Sequence, residues 1–222
     1  MITKDLFELG EGIIKQLPEV RDDGRGYSMA DDGGVECEVG EFLYSMVRIL
    51  KPIHILETGT YTGISAMYMG QGLKDNKLPN TELFTCDIEI QHLDRARKLW
   101  QQTQVSDYIF SKQIESLKLE PAQSDYDLMF LDSEPNLRFA ELVRFYPYLK
   151  PGGYVFIHDT PRSLCQGNVN PDHPEIKSWP FGDLPQEIKD WVKDGNLVPF
   201  HFPNPRGMTG FYKPKLEDYI WK

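Results

Sequence analysis

Between residues 53 and 157, short apolar runs take turns with segments whose apolar side chains recur every three or four positions. The runs at 53–56, 83–86, 127–131 and 154–157 predict buried strands, with a shorter one at 108–110. Segments 65–73, 93–102 and about 137–149 carry the helical period, and Lys150-Pro151-Gly152-Gly153 predicts a turn. Upstream, Val39, Phe42, Leu43, Met46, Val47 and Leu50 repeat at helical spacing and stop before Pro52. Strand and helix in alternation predict an α/β fold, a mostly parallel sheet with helices on both faces.

The two ends of the chain read differently. Residues 4–17 predict a short helix, and 19–34, rich in Asp and Gly, a loop. Asp183 is placed to cap a helix that carries Leu184, Ile188, Trp191 and Val192 and closes at Gly195. Segments 197–202 and 208–212 then flank Pro203-Asn204-Pro205-Arg206-Gly207, the pattern of an antiparallel hairpin. Residues 161–182, rich in Pro, Asn and Gly, are too long for a plain connection and predict a lid loop. No linker or repeat divides the chain, so residues 1–222 are expected to form one domain, with helices in 1–50 before the sheet.

Composition narrows the class. A chain of 222 residues can bury a full core without disulfides or metal, and 40% hydrophobic against 26% charged residues argues against disorder. A mean hydropathy of -0.46 and the lack of a long uncharged run argue against a spanning helix. With 24 basic and 34 acidic residues the net charge of -10 weighs against a nucleic-acid backbone as partner. Cys37, Cys86 and Cys165 stand in unrelated contexts and build neither a disulfide framework nor a zinc pattern. The N-terminus lacks a secretory layout, so a cytoplasmic protein with reduced thiols is expected. Its expected partner is a small molecule, with no membrane and no nucleic acid; a homodimer is left open.

The chemistry concentrates in Leu56-Glu57-Thr58-Gly59-Thr60-Tyr61-Thr62-Gly63-Ile64-Ser65, where a strand runs through a glycine turn into a helix. Gly59 lets a ligand approach the backbone, and Gly63 is expected to let the helix start pack on the sheet. A nicotinamide fingerprint would need G-x-G-x-x-G; here the order is E-x-G-x-x-x-G. A carboxylate at that strand end repels a pyrophosphate but suits an ammonium group. Asp87, at the end of the next strand, can accept hydrogen bonds from two ribose hydroxyls. A nucleoside with a cationic amino-acid tail fits both acids, which points to S-adenosylmethionine. The apolar run Leu128-Met129-Phe130-Leu131 leads into Asp132, and a carboxylate at the tip of a buried strand is costly unless paired or used.

At these residues the sequence resembles the class I S-adenosylmethionine-dependent methyltransferases, and within them the catechol and caffeoyl-CoA type O-methyltransferases and their bacterial relatives. Five features in order carry the resemblance over residues 29–160. They are the helix with Glu38-Val39-Gly40-Glu41-Phe42-Leu43, the glycine turn, Cys86-Asp87, Tyr126 to Asp132, and Leu149-Lys150-Pro151-Gly152-Gly153 leading to His158-Asp159-Thr160. The resemblance implies a Rossmann-like, seven-stranded sheet ending in a hairpin. It implies that Glu57, Gly59, Thr60, Tyr61, Gly63 and Ser65 surround the methionine end of the cofactor. Asp87 would hold the ribose, Ile114 and Glu115 would flank the adenine, and Asp132 would stand by the sulfonium.

The catalytic part of the pattern departs from the metal-dependent members. Those bind magnesium through an aspartate matching Asp132 and an Asp-Asn pair, which here is Asp159-Thr160, a weaker set for a hard cation. No lysine follows Asp132, where the chain reads Ser133-Glu134-Pro135. A bacterial branch of class I enzymes ends this strand in His-Asp-Thr, as here. His158, oriented by Asp132 and Asp159, is then the expected general base, because its unperturbed pKa lies near neutrality; the alternative is a divalent ion such as magnesium held by Asp132, Asp159 and Thr160. Glu36, Glu38 and Glu41 read as a solvated helix start. The activity expected is methyl transfer to an oxygen of a small molecule; an N-methyltransferase, a nicotinamide-dependent oxidoreductase and a non-catalytic nucleoside-binding module are the rivals.

Overall fold

The computed structural model describes residues 34–160, 184–202 and 206–215. A helix, α1 (Cys37–Leu50), leads into β1 (His54–Thr58), α2 (Ile64–Asn76), β2 (Glu82–Asp87), α3 (Ile90–Gln102) and β3 (Ile109–Gln113). Then come β4 (Tyr126–Leu131), α4 (Arg138–Phe145), β5 (Leu149–His158), α5 (Gln186–Lys193), β6 (Val198–Phe202) and β7 (Met208–Tyr212). The helix expected at 4–17, nearly all of the loop at 19–34, the cap at Asp183 and the lid at 161–182 lie outside the described residues.

All seven strands join in one sheet of order β3-β2-β1-β4-β5-β7-β6. β1 to β5 run parallel, and β7 pairs antiparallel with both β5 and β6, as the sequence pattern predicts. The period of two in each strand sorts its side chains to two cores. Ile55, Leu128, Phe130 and Phe156 face the layer of α1, α2 and α3, whereas Leu56, Met129, Leu131, Val155 and Ile157 face α4 and α5. Each such side chain, fully buried, contributes about 1.5–3 kcal/mol. β4 is buried at every position, which is why it reads as an unbroken apolar run. Among the described residues no helix is long and apolar enough to cross a membrane.

Two boundaries differ from the pattern. α4 stops at Phe145 and gives way to a 3₁₀ turn at Tyr146–Tyr148, because Pro147 has no N–H for an α-helical bond. The expected turn at 150–153 is instead the irregular start of β5. Leu149 already pairs with Tyr126, and the register shifts before Leu128 meets Tyr154. Gly152, at φ 85, and Gly153 keep the backbone tied to Lys213 through that shift.

The order of strands reverses between β1 and β4, since the chain adds β2 and β3 on one side and β5 on the other. In open α/β sheets the crevice beyond the carboxyl ends at such a point is where ligands bind.

Candidate active site

The turn after β1 opens this crevice. Gly59 has φ 80, its N–H donates to the Cys86 carbonyl (2.9 Å), and a Cβ there would collide with the Asp132 carbonyl. Only glycine lets the ends of β1 and β4 stay this close. Gly63, at φ 81, is required for a different neighbour than the expected sheet: a Cβ would run into Ala96 and Trp100 of α3. Trp100 Nε1 donates to the Gly63 carbonyl at 2.8 Å and seals the contact.

Asp87 is held by the backbone. Its Oδ2 accepts from the Tyr61 N–H and its Oδ1 from the Glu89 N–H, both at 2.8 Å, with His92 Nδ1 3.1 Å away. Glu57 lies deeper and is fully buried. Ser65 donates to its Oε1 (2.5 Å) and Thr85 to its Oε2 (2.6 Å), and Thr60 meets Thr85 at 2.7 Å. Burial, aided by the charges of Asp132 and Asp87 and opposed by the two hydroxyls, pushes the Glu57 carboxyl up to about 8.

Among the described residues the crevice is a cleft of about 1060 Å³ with Gly59, Tyr61, Asp87, Ile114, Glu115 and Asp132 on its walls. A recess of about 70 Å³ adjoins it under the glycine turn, lined by Thr60, Tyr61 and Ser65 among others. Most of the expected cofactor positions therefore face one space. Glu57 and Gly63 do not line it; they stand behind it.

The ends of β4 and β5 carry an ion cluster in which Glu36, Arg138 and His158 are buried and Asp132, Asp159 and Arg206 are half-buried on the wall of the cleft. Asp132 Oδ1 lies 2.9 Å from Arg138 Nη2 and 3.1 Å from His158 Nδ1. His158 Nε2 donates to Glu36 Oε2 at 2.8 Å. Arg206 Nε reaches Glu36 Oε1 (2.9 Å) and Asp159 Oδ1 (3.0 Å), and Arg138 Nη1 is 3.4 Å from Asp159 Oδ2. Asp159 takes a left-handed φ of 53 to present its carboxylate there, a strained conformation that the surrounding pairs must hold.

His158 does not suit the expected role of base. It is fully buried, and both ring nitrogens face carboxylates. Burial alone would discharge the ring, but the charges of Asp132 and Asp159 and the hydrogen bonds that the ring donates to Asp132 and Glu36 raise it to about 10. An imidazolium has no lone pair with which to take a proton. Burial would likewise raise Asp159 and Glu36, yet the neighbouring cations hold both below the ordinary carboxylate range.

The expected metal set fits no better. Thr160 is fully buried; its hydroxyl accepts from Thr209 Oγ1 at 2.8 Å and faces the Ile157 carbonyl at 3.4 Å, so it is tied into the sheet. Lys150 pairs with Asp127 at the opposite end of the sheet, which keeps it from the cleft.

Four residues of the site escape a reading of the sequence. Glu36, taken there as solvated, is fully buried. Arg206 comes from the hairpin turn. Arg138 and Glu141 carried a signal: with Leu142 and Phe145 they form the buried stripe of α4, and charges on such a stripe need partners. Glu141 accepts from Thr58 Oγ1 at 2.8 Å and from Ser133 Oγ at 2.5 Å, and burial raises its pKa against those bonds and the nearby Arg138. Ser133 lines the cleft beside Asp132.

Residues 56–160 match a family model described as a methyltransferase domain. The chain is 24% identical over 159 residues to catechol O-methyltransferase domain-containing protein 1 of Mus musculus, across 66% of this chain and 56% of that protein. A relative from Mycobacterium sp. (strain JLS), named for O-methyl transfer, is 25% identical over 129 residues, 57% of either chain. The chain thus spans little more than half the length of these relatives. Its fold is similar to that of an O-methyltransferase from Bacillus cereus solved in complex with SAH, with a TM-score of 0.64 at 18% identity, over 96% of this chain and 93% of that one.

Proposed function

We propose that this chain is a class I S-adenosylmethionine-dependent methyltransferase and that it methylates an oxygen of a small-molecule acceptor, a reading supported by the match of residues 56–160 to a methyltransferase domain. The observation that carries the reading is one cleft with Asp87 on one side, Asp132 on the other and the bare backbone of Gly59 between them. The cofactor supplies a methyl carbon bonded to a positively charged sulfur. Asp87 keeps lone pairs for two ribose hydroxyls after accepting from Tyr61 and Glu89. Thr60 and Ser65 hold the methionine end, with Glu57 acting on its ammonium group through Ser65. Ile114 and Glu115 flank the adenine. Asp132, fixed by Arg138 and His158, stands by the sulfonium. Alignment of the acceptor oxygen with the methyl carbon accounts for most of the rate gain.

The proton of the acceptor needs a destination other than His158. Ser133 faces the cleft in the stretch after Asp132, which lacks the lysine that the resemblance would place shortly after that aspartate, and its hydroxyl already points at Glu141. In this reading the acceptor gives its proton to Ser133 Oγ as Ser133 passes its own to Glu141 Oε1, and the acceptor oxygen bonds to the methyl carbon while the carbon–sulfur bond breaks. Glu141 ends neutral and the sulfur uncharged, so two charges disappear together.

Labelled methyl transfer to a panel of small hydroxylated acceptors, with amines as controls, tests the reading. Transfer to amines alone would make the chain an N-methyltransferase. Tight SAH binding with transfer to neither would leave a nucleoside-binding module. Ser133→Ala and Glu141→Gln should each lower kcat roughly 10²–10⁴-fold with SAH affinity kept. If Glu141 merely braces the loop, its variant will lose thermal stability without that fall in kcat.

A further inference from the structure

The carboxylates that a divalent ion would need are already occupied by cations of the chain. Arg206 Nε stands between Glu36 and Asp159, at about 3 Å from each, where a bridging ion would bind. Arg138 joins Asp132 to Asp159 in the same way, with one guanidinium nitrogen toward each. Glu36, His158 and Asp159 do bring donor atoms within 4.8 Å of one another, near enough for a metal. The imidazole offers Nε2 to Glu36 and Nδ1 to the aspartates, however, so neither nitrogen is left for an ion. Charge is balanced too: Glu36, Asp132 and Asp159 face Arg138, Arg206 and His158. A divalent ion would have to displace a guanidinium from buried partners and leave it uncompensated.

We infer that the guanidinium pair of Arg138 and Arg206 replaces a divalent ion at this centre, so that the protein neither needs nor holds a hard cation there. A metal centre keeps open coordination positions, and an acceptor with two adjacent oxygens can chelate it. A guanidinium has no such positions and keeps its charge at every working pH. Arg138 is buried and also donates to the Ser133 carbonyl from Nε (2.7 Å) and to the His158 carbonyl from Nη1 (2.5 Å), so it fixes the loop that carries Asp132 and Ser133. Two adjacent oxygens are therefore no requirement on the acceptor, a consequence that rests on the methyl-transfer reading.

The test reads metal binding directly and does not depend on any acceptor. The full chain, freed of metal with EDTA, is titrated with Mn²⁺ by electron paramagnetic resonance, and its thermal unfolding is compared with and without Mg²⁺. The expected result is no bound Mn²⁺ at this centre and the same unfolding midpoint under both conditions. One bound Mn²⁺ that Asp159→Asn abolishes would overturn the inference, whatever the enzyme activity. Arg206→Met should open the space between Glu36 and Asp159 and bind Mn²⁺ roughly 10–100-fold tighter than the wild type. A folded Arg206→Met chain that stays as indifferent to Mn²⁺ as the wild type would refute the idea that the guanidinium stands in for an ion. Should that variant fail to fold, Arg206→Lys, which keeps the charge, serves in its place: it should ignore Mn²⁺, and Mn²⁺ binding by it would count against the inference.

Discussion

Glu57 and Asp132 stand at the ends of neighbouring strands, yet one is surrounded by hydroxyls and the other by cations. On the β1–β2 side, among the described residues, the Glu57 carboxyl has only Ser65 and Thr85, and Asp87 has backbone N–H groups with His92 at its edge. On the β4–β5 side, Glu36, Asp132 and Asp159 each meet a guanidinium or the His158 ring. Uncompensated burial raises Glu57 to about 8, whereas compensation lowers Asp159 and Glu36. Equal burial thus leads to opposite chemistry. The first side is short of positive charge and suited to a cationic ligand; the second is neutral within itself and suited to holding a shape.

Removing a member of each side should separate them. The largest effect is expected on the β4–β5 side, where His158→Ala takes one of two cationic partners from each of Glu36 and Asp132 and should cost about 3–5 kcal/mol of stability in urea unfolding. A cost below about 1 kcal/mol, the value of an exposed pair, would mean that the cluster is open to water. The folded value of His158, about 10, lies above its ordinary 6.5. Its contribution is therefore complete below pH 6.5 and is lost as the pH rises through 10, so wild type and variant should converge over that window.

A smaller effect is expected on the β1–β2 side. Asp87→Ala should weaken SAH binding by about 1.5–3 kcal/mol for each charge-assisted hydrogen bond lost. Unchanged affinity in titration calorimetry would take Asp87 out of the ribose site.

The smallest effect is counted in protons. Below pH 8 Glu57 is largely protonated in the free chain, and a cation bound against Ser65 favours its ionised form. SAH binding should then release up to about one proton, and affinity should rise with pH until about 8 and level off above it. Calorimetry in buffers of different ionisation enthalpy measures the release. The same release from Glu57→Gln would show that Glu57 does not sense the ligand.

The division between the two sides also separates what was legible in the sequence. The parallel sheet and the closing hairpin follow from periods of two and of three to four, whereas the reversal of strand order between β1 and β4 is seen only in the structure. Gly59 and Asp87 follow from a strand, a turn and the next strand end. All of these are consequences of a few consecutive residues: backbone sterics demand glycine at φ 80, and a parallel strand buried on both faces must be apolar throughout. The ion cluster is different in kind. Glu36 meets His158 across 122 residues of chain and Arg206 across 170. A glutamate before a helix looks the same in sequence whether water or an imidazolium surrounds it, and so does a histidine at a strand end. Whether either one is charged, and whether it can take a proton, depends on the groups that folding brings against it. Charge interactions act through space and burial rather than along the chain, so the roles of Glu36, His158 and Arg206 were decided by the tertiary structure alone.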